Sequence, residues 1–195
     1  MKSGFFVSCK KGKEEKAFKE LQTVLNTSFD TIETQPDYST LNVSEEIKNE
    51  IRILKKSFFS LFFTYKSMFY VSNSSPFTPS KLFYILKERG VKLEYVHRIV
   101  PLDRFTTYNE NVMRKGLVDI DKSLTFKIEY EERFVPQDTR KRIFELITST
   151  LEGMKVDLSR PDYLIIVSAL KNDVGFTVLK NNKEHFNFSK TNKEV

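Results

Sequence analysis

The chain has 195 residues, with 32 Lys and Arg against 26 Asp and Glu, a formal net charge of +6. At 39% hydrophobic and 30% charged it is neither a disordered chain nor a bundle of membrane spans, since no run approaches the ~18 apolar residues that a span needs. One cysteine, two histidines and six scattered glycines exclude an intrachain disulfide, a cysteine-built zinc site and a glycine-rich phosphate loop.

Phe5–Cys9 has β-type residues and reads as a strand that Gly12 ends. Lys13–Asn26 follows with Ala17, Phe18, Leu21, Val24 and Leu25 on one helical face. Asp30–Thr40 is polar and reads as loop, and Ser44 caps an expected second helix through Ile47, Ile51 and Leu54. Phe58–Tyr65 and Met68–Ser72 form an expected hairpin about Lys66-Ser67. Thr78 or Ser80 opens a helix that Gly90 closes, and Leu93–Val100 is a strand. This is the split βαβ, ferredoxin-like order, with a helical insertion at about 30–56.

Pro101-Leu102-Asp103 reads as an interruption, and Thr106–Leu117 as a bridging helix. From Ser123 the pattern restarts. Leu124, Phe126, Ile128 and Tyr130 alternate with polar residues, the mark of a half-buried strand. Pro136–Leu151 reads as a helix with Ile143, Phe144, Leu146 and Ile147 inward, and Lys155–Leu158 as a short strand. The apolar run Tyr163–Leu170 suits a central strand, which turns at Lys171–Val174 into Gly175–Lys180. The expected class is α/β (α+β), in two small units: 1–102, a linker or bridging helix at 103–122, a core at 123–181, and a tail at 182–195.

Few residues carry chemistry. Cys9 ends an apolar strand and reads as a small buried hydrophobe; cations follow it, but a nucleophile would also need a base. His97 reads as structural or RNA-contacting. Glu14-Glu15 and Glu131-Glu132 are adjacent pairs whose side chains do not face each other, so neither is a catalytic dyad. No catalytic residue, metal or cofactor is expected, and the chain reads as a non-enzyme.

The sharpest local signal is Glu132-Arg133-Phe134-Val135-Pro136-Gln137-Asp138-Thr139-Arg140-Lys141-Arg142. Three cations in the first turn of a helix oppose its dipole, by up to roughly 1 kcal/mol each. Asp138 as N-cap offsets part of this. The pattern makes sense where an anion docks at the helix start, or where the arginines pair with nearby carboxylates on a solvated face. Lys10, Lys11 and Lys13 form a similar strand-to-helix corner. Phe69 and Tyr70 are candidates to stack on bases or to pack in the core.

Phe126-Lys127-Ile128-Glu129-Tyr130-Glu131-Glu132-Arg133, the basic helix from Thr139, Lys155-Val156-Asp157-Leu158-Ser159-Arg160-Pro161-Asp162 and the apolar strand after it resemble a THUMP domain. Arg160 stands where the family has Asn, and Glu132 where a basic residue is common. The opening Gly4–Cys9 with Gly12-Lys13-Glu14, and His97-Arg98-Ile99-Val100-Pro101, resemble stand-alone THUMP proteins that assist tRNA acetylation. The resemblance implies a tRNA-binding adapter that presents serine and leucine tRNAs to a separate RNA cytidine acetyltransferase, which forms 4-acetylcytidine in the D-arm. Acetyl-CoA and ATP would serve that enzyme.

The residues expected to lie along phosphates are Lys10, Lys11, Lys13, Arg98, Arg104, Arg133, Arg140, Lys141, Arg142, Lys155 and Arg160. Without a secretory leader or an expected membrane partner, the chain reads as intracellular, in nucleus, nucleolus or cytoplasm. A protein–protein scaffold of an RNA-modification complex and a THUMP-type modifying enzyme are the alternatives. The expectation of a non-enzyme also rests on the lack of room for a catalytic domain after residue 180 and on the lack of S-G-G-x-D-S and N-P-P-Y motifs.

Overall fold

The computed structural model describes residues 2–33, 58–180 and 186–189, with side chains left aside at 29–33. The expected loop beyond residue 33, the helix from Ser44, and His185 lie outside the described residues. Eight strands and four helices are described: β1 (Lys2–Cys9), α1 (Glu14–Glu33), β2 (Phe59–Tyr65), β3 (Met68–Asn73), α2 (Pro79–Glu88), β4 (Val96–Thr107), α3 (Glu110–Leu117), β5 (Thr125–Arg133), α4 (Thr139–Thr150), β6 (Lys155–Val156), β7 (Tyr163–Leu170) and β8 (Asp173–Lys180). The strands hydrogen-bond in the order β2-β3-β1-β4-β8-β7-β5-β6, and the class is α+β.

The chain divides into two compact units. One comprises Phe5–Val100 with Asn187–Val195, the other Met1–Gly4 with Pro101–Phe186. The boundaries fall within β1 and β4.

The first unit carries the strand run β2-β3-β1-β4, the order of a split βαβ fold. Its core is aromatic: Phe5, Phe59, Phe69, Tyr70 and Phe83 are fully buried. Ala17, Leu21 and Leu25 of α1 are buried as their helical spacing predicts, and Phe18 meets Phe69 edge-on at 6.3 Å. β2 and β3 form the expected hairpin, with Ser67 in the left-handed region at φ 62°. Thr78 caps α2, its Oγ1 accepting from Lys81 N at 3.3 Å, and Gly90 follows at φ 61°.

Two expectations are corrected. Phe188 does not lie in a loose tail. It is buried against Phe83 at 5.8 Å, its N–H donates to His97 O at 2.8 Å, and Lys87 Nζ stands 4.4 Å from its ring. Of the stretch read as a linker or bridging helix, the helix is present at Glu110–Leu117, but the residues up to Thr107 are strand. β4 runs through Pro101, and its pairing with β8 begins only at Arg104, so the missing proline N–H removes no bond of that ladder.

In the second unit β5 and β7 are parallel over Phe126–Arg133 and Tyr163–Leu170, β7 and β8 are an antiparallel hairpin, and β6 edges β5. Phe126, Ile165, Val167, Val174 and Phe176 present one sheet face to Ile143 and Ile147 of α4 and to Met113 and Leu117 of α3. Asn109 caps α3, accepting from Val112 N at 3.2 Å. Phe176 lies against Gly116, where an added Cβ would stand 2.4 Å from the ring and 2.6 Å from Arg104 Nη1.

Candidate nucleic-acid interface

The parallel register separates the expected basic residues into two ends. Lys155 pairs with Thr125 at the amino end of β5, and Arg160 precedes β7 at that same end. Arg133 closes β5 at the carboxyl end, and α4 begins after a five-residue turn through Phe134, which sits at φ 57° and is 60% exposed. Eight strand residues separate the two ends, roughly 25 Å at about 3.3 Å per residue. The cations expected to lie along phosphates therefore fall into two groups in this unit, Lys155 and Arg160 at one end and Arg133 with the start of α4 at the other.

The carboxyl end is the richer one. Arg133 is exposed, and its Nη1 donates to Glu132 O at 2.8 Å. Arg133 O accepts from Lys171 N at 3.0 Å, which fixes the β7–β8 turn beside the end of β5. Lys171 is in the left-handed region at φ 54° and exposed. It shares a pocket of about 180 Å³ with Tyr108, Pro136, Thr139, Arg142 and Asn172. The carboxyl edge of parallel strands is where open α/β sheets receive ligands. Lys171 was not among the sequence-derived candidates. Its only sequence signal was a lysine closing an apolar strand.

The helix start is less neutralised than its sequence suggested. Asp138 occupies the N-cap, but its side chain makes no capping hydrogen bond. The three cations that follow differ in setting. Arg140 lies over Tyr130 and Phe144 at 5.6 and 5.5 Å. Lys141 makes an exposed pair with Glu145 at 3.8 Å, an interaction worth only a few tenths of a kcal/mol. Arg142 stacks over Tyr108 at 5.0 Å and pairs with Glu110 at 3.6 Å. Burial first, then Glu110, pushes the Tyr108 phenol above its usual range, with Arg142 opposing, so its hydroxyl stays protonated at neutral pH.

Arg104 is built into the second unit. Its guanidinium lies 5.5 Å from the Phe176 ring and donates to Val112 O at 3.3 Å. Arg98 is half-buried in β4, where it bridges to Asn187. His97 is exposed on the same strand.

At the first strand-to-helix corner Lys10, Lys11 and Lys13 are all exposed. Gly12 takes φ 72°, and Glu14 accepts from Ser67 N at 2.8 Å and Gly12 N at 3.2 Å. Those amides, Ser67 foremost, hold the Glu14 carboxyl below its usual range. Burial, then Glu14, pushes the Cys9 thiol up to about 11, so it is protonated at neutral pH and a poor nucleophile. Phe69 and Tyr70 are fully buried and offer no face to a base. Among the described residues no three His, Cys, Asp or Glu side chains converge as metal ligands, and no helix is long and apolar enough to cross a membrane.

No protein-family model matches the sequence. No curated protein matches it either. Solved structures do resemble the fold. TrmN from Thermus thermophilus aligns over 97% of this chain and 48% of its own at TM-score 0.54 and 11% identity. PH1313 from Pyrococcus horikoshii aligns over 92% of this chain and 55% of its own at TM-score 0.51 and 14% identity. A 4-thiouridine synthetase bound to RNA and ATP gives TM-score 0.46 at 13% identity over 93% of this chain and 42% of its own. The chain thus spans about half the length of the structures it resembles. At these identities the likeness is one of fold. It corrects the expectation of a non-enzyme, because the fold occurs within enzymes such as TrmN. That expectation leaned on motifs absent from 195 residues, and the chains sharing the fold are about twice as long.

Proposed function

We propose that the chain binds tRNA in the service of tRNA modification, through cations at the carboxyl end of β5 and β7. The observation that carries this is the grouping of Arg142 and Lys171 at one pocket, with Arg133 joined to Lys171 through its carbonyl and with Arg140 and Lys141 in the same first helical turn as Arg142. Arginine forks and backbone amides suit phosphate oxygens, and such contacts position a nucleic acid without reading its sequence. The sequence resemblance to THUMP domains supports tRNA as the nucleic acid, and the fold likeness to TrmN agrees with it.

The finer reading is an adapter that presents serine and leucine tRNAs to an RNA cytidine acetyltransferase for 4-acetylcytidine formation in the D-arm. It rests on the sequence resemblance at Gly4–Cys9 and His97–Pro101. Reconstitution tests it: acetylcytidine should form in tRNA when chain and acetyltransferase are mixed, and fall sharply when the chain is left out.

The interface itself is tested by Arg140→Ala with Arg142→Ala. Each lost phosphate contact lowers the slope of log affinity against log salt by roughly 0.7–0.9, so the pair should lower it by about 1.4–1.8. An unchanged affinity and slope would place the interface elsewhere.

A further inference from the structure

Tyr95, just before β4, is half-buried, unlike the core aromatics Phe5, Phe59, Phe69, Tyr70 and Phe83 of the same unit. Two ammonium groups stand near its ring, Lys10 Nζ at 5.6 Å and Lys16 Nζ at 5.9 Å from the centroid. Those distances are at the outer limit of a cation–π contact, so the lysines attend the ring without packing onto it. Lys11 and Lys13 are exposed on the adjoining turn.

The ring's backbone is pinned from two directions. The Glu20 carboxylate accepts from Tyr95 N at 2.9 Å and from Glu94 N. Tyr95 O accepts from Lys10 N at 2.9 Å, joining the ring's support to the basic corner. The nearby carboxylates are thereby accounted for: Glu20 is engaged with amides, Glu14 with Ser67 and Gly12, and Glu94 with the Tyr95 hydroxyl. A preset aromatic ring among ammonium groups that make no ion pair among the described residues is the combination that holds single-stranded nucleic acid, because every base has a π-face and every nucleotide a phosphate. A base within an A-form stem has no open face, so the fitting ligand is an unpaired nucleotide.

We propose that Tyr95 is a stacking platform for an unpaired nucleotide of the bound RNA, with Lys10 and Lys16 taking the adjoining phosphates. This rests on the RNA-binding reading above and adds a second, chemically different site to it.

The test uses the full chain, a labelled single-stranded RNA hexamer and a blunt RNA duplex, with affinities read by fluorescence anisotropy across a salt series. Tyr95→Leu keeps apolar bulk and removes the π-face; Tyr95→Phe keeps both. The hexamer should bind the Leu variant about 5- to 150-fold more weakly and the Phe variant like the parent. The salt slope should be the same for all three proteins, since no charge is removed. Duplex affinity should also be the same for all three. Unchanged hexamer binding by Tyr95→Leu, an equal loss in Tyr95→Phe, or an equal loss on the duplex would each overturn the platform. A parent that binds neither RNA would bring down the RNA-binding reading, and the platform with it. A parent with a normal salt slope beside a silent Tyr95→Leu would remove the platform alone.

Discussion

Asp162 joins two strands that lie far apart in sequence. Its Oδ2 accepts from both Thr125 N and Thr125 Oγ1 at 2.8 Å, and its own N–H donates to Thr125 Oγ1 at 3.1 Å. The start of β7 is thus tied to the start of β5. Asp157, by contrast, bonds local amides, accepting from Ser159 N at 2.8 Å and Arg160 N at 2.9 Å. The Thr125 amide, then its hydroxyl, holds the Asp162 carboxyl below its usual range. A depressed folded-state pKa means stabilisation that is present above the unfolded value of about 3.9 and lost as pH falls through the folded one. Asp162→Asn should therefore lower the urea midpoint at neutral pH, with the gap to the parent narrowing in acid. A gap that is constant with pH would show that the charge contributes nothing.

Among the elements, β4 departs furthest from its sequence reading. Pro101 looked like a break and the residues after it like a bridge, because proline within a strand normally costs a ladder bond. Here β4 continues, and the helix beyond it packs Met113 and Leu117 into the second core. Gly116 makes that approach feasible. Alanine would gain about 1 kcal/mol of helix propensity there, but its methyl would enter the space of the buried Phe176 ring and of Arg104. Overpacking of this kind costs about 1–3 kcal/mol. Gly116→Ala should give a net loss of stability, read as a lower urea midpoint; a midpoint at or above the parent's would mean that Phe176 yields freely. By contrast, β5, β7 and the β2–β3 hairpin were legible from period and turn residues alone, and the apolar run of β7 is buried from Tyr163 to Ala169.

At the scale of the whole molecule, the charge of +6 says little until it is placed. Lys155 and Arg160 lie at the opposite end of β5 and β7 from Arg133, Arg142 and Lys171. If the carboxyl-end cluster holds phosphate, Lys155→Ala with Arg160→Ala should leave the salt slope of tRNA binding within experimental error of the parent's. A drop of about 1.4–1.8 would extend the interface to the amino end.

The sequence by itself determined the α+β class, most strands and helices, and the presence of basic strand-to-helix corners. These depend on period, capping and local charge, which neighbouring residues carry. Only the tertiary structure decided which cations share a surface. Strand register brought Lys171 beside Arg133 and set Lys155 and Arg160 some eight residues away, and packing turned Arg104 onto Phe176 and Phe188 onto Phe83. Register and packing join residues tens of positions apart, and no local pattern encodes which partner each will meet.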